Sequence, residues 1–581
     1  MVKKNKPLIC PWAFLDDYRG EVFKGEWPTL PELFTITASR HGERNGFTDF
    51  EPDRNTLTYN EVYANVQRLS QWMLEKGVSK GDRVAVSGKN SPEWATVFLA
   101  AGFAGAVIVP IDYALTEKEM ENLLKVSQPK LFFVDEEKLE HFLNSSLDYV
   151  KRMKILSLSK KHSEEYVYNL KAKKTHIANM PNENDLAAIL FTSGTTGNPK
   201  GVMLSHKNLV SDAFIAQSRL LIFPEDVFYA LLPIHHAYTM QAVFIESISV
   251  GAEIVFAKTM AVTRMLKELK EGKITMLLGV PLLFNKLLAG VLKGVKAKGP
   301  VVYGLIRFMM GISYFVKKLF GVNPGKKMFG FILKKVSLEN LRVAISGGGP
   351  LALSVFKLYN QLGIDFVQGY GLTETSPIIA LNPKEHFKIE SVGQYFHPYM
   401  EMKIIDEDEN GIGEVVVKGP MVMQGYYNMP EETAEVFTED GFFKTGDLGR
   451  LDNEGYLYLA GRAKNMIVTE GGKNVFPEEV ENAFQLFTDI EQITIKGYII
   501  DKATKSEGIE ALVYTSDDLF KRIDMTRESK EGQERMKVEV AEIIAKVNKT
   551  LQPYARISKT TFLDKPLEMT TTKKVKRTYN E

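Results

Sequence analysis

The sequence predicts an α/β fold with largely parallel sheets, followed by a β-rich stretch and a small α+β unit. Three observations carry that prediction. Short β-branched runs alternate with helix-like segments over most of the chain, as in DRVAVSG (82–88), SPEWATVFLAAGFAG (91–105) and AVIVPI (106–111). Such alternation stacks helices on parallel strands. From about residue 401 the texture changes to short strands and turns, MEMKIID, GEVVVKG and LGRLDNEGYLYLAGR, which read as antiparallel hairpins. Beyond Arg462 a compact lid-like unit of strand-like and helix-like pieces follows.

The elements read in order. LAAILFTSG (186–194), AEIVFA (252–257) and RVAISGG (342–348) are strand-like; TRMLKELKEG (263–272) and LALSVFKLYNQLG (351–363) are helix-like. In the last unit VFPEEVENAFQLF (475–487) reads as a helix, opened by Pro477 and two glutamates that suit a helix N-terminus. ITIKGYIID and IEALVYT read as strands, and the charged stretch 525–550 as a helix. Residues 94–111 carry no charge, but two glycines and Pro110 interrupt them, and Glu93 and Asp112 flank them. A buried helix turning through glycine into a buried strand is expected there, not a membrane span.

Composition narrows the function classes. At 581 residues the chain is too long for one ordinary core. Hydrophobic residues at 44% and charged residues at 25% are ordinary for a globular protein. The net charge of +1 argues against a whole-chain polyanion binder, so no nucleic acid partner is expected. Cys10 is the single cysteine, which excludes an intrachain disulfide and fits a reducing, cytoplasmic compartment. The segment MVKKNKPLICPWAF lacks the apolar core of a signal peptide.

The strongest chemical signal is Thr192-Ser-Gly-Thr-Thr-Gly-Asn-Pro-Lys-Gly201 after the strand-like LAAILF. Glycines let backbone N–H groups turn toward an anion, hydroxyls add donors, and Lys200 supplies a point charge. This is not the Walker loop of a phosphotransferase, because Gly201 and Val202 stand where a magnesium-holding Ser or Thr would be. The string closely resembles the signature of the adenylate-forming superfamily: acyl-CoA synthetases, firefly luciferase and peptide-synthetase adenylation domains. In the same order come LPIHHAYTM (232–240), SGGGPL (346–351), QGYGLTET (368–375), TGDLGRLDNEGYLYLAGR (445–462) and GRAKNMIVTEGGKNVFPEEVE (461–481). TLTYNEV, GDRVAV and PEW add to the likeness, which covers roughly residues 30–580 and is greatest to long-chain fatty acid:CoA ligases.

The resemblance implies an adenylation domain over 1–462, with a small β-barrel-like subdomain at about 401–462, and a mobile C-terminal lid over 463–581 carrying the catalytic lysine. It implies ATP, Mg2+ and coenzyme A. Thr192, Ser193, Gly194, Thr195, Thr196 and Lys200 would hold the β- and γ-phosphates. Gly349, Gln368, Gly369 and Tyr370 would line adenine, and Thr373 would touch the α-phosphate. Glu374 would bind magnesium, an ion that prefers hard oxygen donors. Asp447 would anchor ribose, and Arg462 would contact ribose or phosphate. His236 would flank the carboxylate pocket; beside it, His235 has no further metal ligand nearby in sequence. Met240 falls near the gate of the acyl tunnel in relatives. Lys464 would be the hinge, with Asn465 where aspartate is common, and Gly471 and Lys473 would serve the thiolation state. Relatives end in a Gly-Lys-x-x-Arg-like string, whereas this chain has TTTKKVKR. Alignment on Arg577 selects Lys574 as the catalytic lysine, with Lys573 in place of glycine.

Between Glu271 and Glu339 there is no acidic residue, while twelve lysines and arginines interleave with apolar residues. Basic, apolar-rich helices suit anionic membrane surfaces. Peripheral contact of residues 272–338 with the inner face of a membrane is therefore expected, and with it a water-poor acid. The leading expectation is an AMP-forming long-chain fatty acid:CoA ligase. One alternative passes the acyl group to acyl carrier protein; another is a weakly catalytic, membrane-associated ATP-binding protein in fatty-acid uptake.

Overall fold

A computed structural model describes residues 12–51, 53–192, 199–469, 473–501, 506–569 and 575. It confirms the α/β expectation with a large N-terminal domain and a smaller C-terminal one. Two sheets dominate the first. The smaller is seven-stranded: Lys154–Ser157, Leu131–Val134, Arg83–Ser87, Val107–Pro110 and Leu186–Thr192 run parallel, and Lys200–Ser205 and Gly425–Tyr426 close its edge antiparallel. The larger has thirteen strands, with a parallel centre from Asp365–Gly371 through Val343–Ser346, Met276–Gly279, Val227–Ala230 and Glu253–Phe256 to Asn45–Phe50.

The uncharged stretch 94–111 behaves as expected. Helix Pro92–Phe103 starts with Ser91 accepting from the Trp94 N–H and with Pro92 in its first turn. It is buried almost all round, and Gly105 at φ +75° turns the chain into strand Val107–Pro110. No helix among the described residues is long and apolar enough to cross a membrane.

Residues 401–462 do not form a barrel. Strands Glu401–Ile405, Gly413–Lys418, Phe443–Leu451 and Tyr456–Arg462 extend the large sheet as an open antiparallel edge. The reason lies in the pairing: Tyr456–Arg462 spends its free side on Gly393–Tyr395, which pairs with Ile378–Leu381 and so with Asp365–Gly371. With those hydrogen bonds used to join the main sheet, closure of the hairpins on themselves is not formed.

The C-terminal core draws on residues from Ile467 to Ile557. It packs helix Lys530–Asn548 on strands Ile490–Asp501, Ser506–Thr515 and Lys559–Phe562. The helix expected over 475–487 is shorter, Pro477–Asn482. Its continuation tightens into turns in which Ala483 and Phe484 donate to the carbonyls of Val480 and Glu481.

One buried histidine makes the fold pH-sensitive. Ser205 caps helix His206–Gln217, and His206 is 1% exposed with Nδ1 accepting the Leu30 N–H at 3.2 Å. Burial lowers its pKa from 6.5 to about 4. A folded value below the unfolded one means that protonation favours unfolding, so stability falls as pH drops from about 6.5 toward 4. The full loss is about 3 kcal/mol at 1.36 kcal/mol per unit. In denaturation titrations His206→Gln is expected to flatten this acid limb; an unchanged slope would remove His206 as its cause.

Candidate active site

The site is assembled around residues 368–374, which leave the end of strand Asp365–Gly371 and enter the one-turn helix Thr373–Thr375. Gly371 is required here, since a Cβ would lie 1.7 Å from the Pro377 carbonyl oxygen. The turn is pinned by Thr375 Oγ1, which donates to that same oxygen at 2.6 Å.

One end of the segment meets the hairpin Phe443–Leu451/Tyr456–Arg462. There Asp447 and Arg462 are cross-strand partners, with Arg462 Nε 2.7 Å from Asp447 Oδ1. Tyr370 Oη donates to Asp447 Oδ2 at 2.5 Å. Asp447 is 6% exposed, and its N–H donates to Thr445 Oγ1 at 3.1 Å. Burial, then the negative charge of Asp447, raises the Tyr370 pKa far above its usual value, so the phenol stays a donor.

The other end meets the small sheet. Tyr426 Oη donates to Glu374 Oε1 at 3.0 Å, and the Met423 N–H donates to the Glu374 carbonyl at 2.9 Å. Tyr426 stands opposite Val202, and the Lys200 ammonium lies 4.7 Å from the Tyr426 ring centre. The candidate phosphate lysine and the candidate metal carboxylate therefore share one tyrosine. Thr192 pairs with Lys200 across the strands that flank the glycine loop. Ser193, Gly194, Thr195 and Thr196 lie outside the described residues, as do Gly471, Lys573 and Lys574.

Gln368 is buried beside Ser346 in the parallel register, three residues before Gly349. A Cβ on Gly349 would meet Pro281 alone, at an ordinary 3.7 Å, so packing does not demand glycine there.

The histidine pair is less isolated than its sequence implies. Asp112, just beyond strand Val107–Pro110, comes within 3.4 Å of His235 Nε2, and Asp112, His235 and His236 gather their donor atoms within 4.8 Å of one another. The two rings lie 4.2 Å apart. His235 is 6% exposed, whereas His236 is half-buried. Met240 is fully buried and opens a π-helical turn, Met240–Ile245.

Lys464 sits in the one-turn helix Ala463–Asn465, directly after Arg462. Its pKa is lowered by burial and by Arg462. Lys473 is exposed, and its carbonyl accepts from Thr469. The smaller domain touches the larger one through Gln485, whose Nε2 donates to the Pro350 carbonyl while its Oε1 accepts from the Ala352 N–H, both at 2.8 Å.

Sequence reasoning missed Asp112, Tyr426 and Gln485 as members of this neighbourhood. Asp112 carried a signal, an acid just past the carboxyl end of a parallel strand, where open α/β sheets bind ligands. Tyr426 and Gln485 carried none, being 52 and 133 residues from Glu374 and Ala352.

A family model described as AMP-binding enzyme matches residues 34–427. Among curated relatives, a long-chain-fatty-acid–CoA ligase of Bacillus subtilis is 27% identical, covering 84% of this chain and 85% of that protein. A feruloyl-CoA synthase of an Amycolatopsis species is 26% identical, covering 81% and 85%. The o-succinylbenzoate CoA synthetase of Bacillus subtilis, solved with ATP and magnesium, matches at TM-score 0.72 and 23% identity, covering 94% and 98%, which shows a shared fold. The matched span holds most of the site just described, and the chain belongs to the AMP-binding enzyme family of adenylate-forming acid:CoA ligases, enzymes that use ATP, Mg2+ and CoA.

Proposed function

We propose that this protein is an AMP-forming long-chain fatty acid:CoA ligase. The observation that carries the reading is the segment Gln368–Glu374, anchored at Tyr370 to Asp447 and Arg462 and at Glu374 to Tyr426 beside Lys200. One short stretch thus orients candidates for base, ribose, α-phosphate and metal together, and positioning of this kind supplies much of the rate in phosphoryl and nucleotidyl transfer.

In this reading a carboxylate oxygen of the acid attacks the α-phosphorus of ATP and pyrophosphate leaves. The thiol of CoA then attacks the acyl carbonyl and AMP leaves. Lys200 with residues 192–196 holds the departing phosphates, and Asp447 with Arg462 holds ribose. Gly349, Gln368, Gly369 and Tyr370 frame adenine, and Thr373 lies at the α-phosphate. Glu374 would hold Mg2+, which neutralises phosphate charge when bound. His236 orients the acid, Lys464 is the hinge, and Gly471 and Lys473 line the thiol's path. The domain limits 1–462 and 463–581 belong to the same proposal.

Support for a fatty acid comes from the apolar, basic segment 272–338 and the similarity to a fatty-acid ligase. Peripheral membrane contact of that segment at the cytoplasmic face is part of the reading. Similarity to a feruloyl-CoA synthase favours an aromatic acid as the second reading. ATP–pyrophosphate exchange over saturated acids of increasing length, with ferulate in parallel, separates them. Exchange rising with chain length is expected. Preference for ferulate would overturn the fatty-acid assignment, and no exchange with any acid would overturn the enzymatic one. Adding CoA or acyl carrier protein then identifies the acceptor, with CoA expected.

A further inference from the structure

Helix Pro300–Phe320 has two faces of opposite kind. Ile306, Met310, Ser313 and Lys317 point inward and are buried. Lys317 fixes this orientation, because its ammonium lies 2.7 Å from both Asp365 Oδ1 and Asn360 Oδ1. The outward face carries Val301, Leu305, Phe308, Ile312, Phe315 and Leu319, at alternating steps of four and three residues. All are open to water, from 45% exposed at Ile312 to 82% at Val301. An unbroken apolar stripe along about 30 Å of helix is not a feature that water-facing surfaces keep without cover.

The charge around the stripe indicates what covers it. Residues 272–338 contain no acid, and among the described residues none of their cations other than Lys317 forms an ion pair. Arg307 and Lys318 lie on the helix itself, Lys296 approaches the Tyr303 ring, and Lys298 approaches the Phe331 ring. A second copy of the chain would bring the same cations to the same face, and like charges would oppose each other. A convex helix with bulky apolar residues outward and cations beside them has the chemistry of a helix lying in a lipid headgroup layer.

We propose that the outer face of helix Pro300–Phe320 docks on a bilayer of anionic lipids, with Leu305, Phe308 and Phe315 entering the acyl boundary and the neighbouring cations meeting headgroup phosphates. The helix reaches the site as well as the surface, since the Lys317 partner Asp365 is the first residue of the strand ending at Gly371. The inference rests on the ligase reading only for the use of docking, delivery of a water-poor acid.

The test floats the full chain with phosphatidylcholine vesicles, with and without phosphatidylglycerol, at physiological salt. Flotation is expected with the anionic vesicles. The triple variant Leu305→Ser/Phe308→Ser/Phe315→Ser, altered at exposed positions, should lose partitioning by about tenfold or more. Tryptophan fluorescence of Phe308→Trp should be quenched by bromine-labelled acyl chains. Absence of flotation, equal flotation of the triple variant, or an unquenched tryptophan would each overturn docking. Light scattering that shows a dimer broken by the triple variant, with neither protein floating, would assign the face to a second copy instead. ATP–pyrophosphate exchange on the same preparations keeps the readings apart. Flotation without exchange on any acid removes the ligase chemistry and leaves docking, whereas exchange without flotation removes docking and the membrane contact of the ligase reading and leaves its chemistry.

Discussion

Asp447→Asn is expected to lower kcat/KM for ATP in the adenylation half-reaction by about 100-fold, chiefly through KM. The side chain keeps its shape but loses the charge that organises its neighbours. Asp447 is 6% exposed and holds both Arg462 Nε and Tyr370 Oη. With asparagine the amide nitrogen presents a donor toward one of these donors, so one contact becomes repulsive. A hydrogen bond to a charged group contributes about 1.5–3 kcal/mol, and each 1.4 kcal/mol is tenfold. The ion pair itself adds little stability because the Arg462 side chain is 42% exposed. Nucleotide binding is therefore the sensitive readout, and the thermal midpoint should move little. Tyr370→Phe, which removes one donor and keeps the ring, should cost about tenfold. Unchanged KM for ATP in Asp447→Asn would show that the carboxylate serves the hairpin and not the nucleotide.

Lys574→Ala is expected to abolish adenylate formation while sparing thioester formation from a supplied acyl-adenylate. The proposed role is electrostatic: an ammonium between the carboxylate and the α-phosphate offsets charge that develops in the first step and is gone in the second. Removal of one such preorganised contact costs about 10²–10³-fold. Pyrophosphate exchange reads the first step, and thioester release from synthetic acyl-adenylate reads the second. Equal losses in both would place Lys574 in general lid structure. A larger effect from Lys573→Ala would move the assignment one residue.

The candidate residues were legible in sequence to unequal depths. Short strings with fixed spacing, 192–201 and 368–375, named their own members because each works through consecutive backbone and side-chain atoms. Asp447 was readable as a lone anchor. Its engagement by Tyr370 was not, since 77 residues separate the two. Tyr426 was invisible for the same reason. The expected barrel was misread because hairpin texture reports that strands are antiparallel, while closure depends on which neighbour takes the last free edge.

By itself the sequence determined the α/β layering, the buried helix and strand of 94–111, and the family to which the chain belongs. These follow from local periodicity, turn residues and contiguous motifs, all short-range in the chain. The tertiary structure alone decided that Tyr426 joins Lys200 to Glu374, that Asp112 stands with His235 and His236, and that Gln485 ties the smaller domain to Pro350 and Ala352. It alone also turned eight large apolar side chains of Pro300–Phe320 toward solvent. These contacts join distant segments and are set by how whole sheets and helices pack, so the spacing of residues along the chain does not specify them.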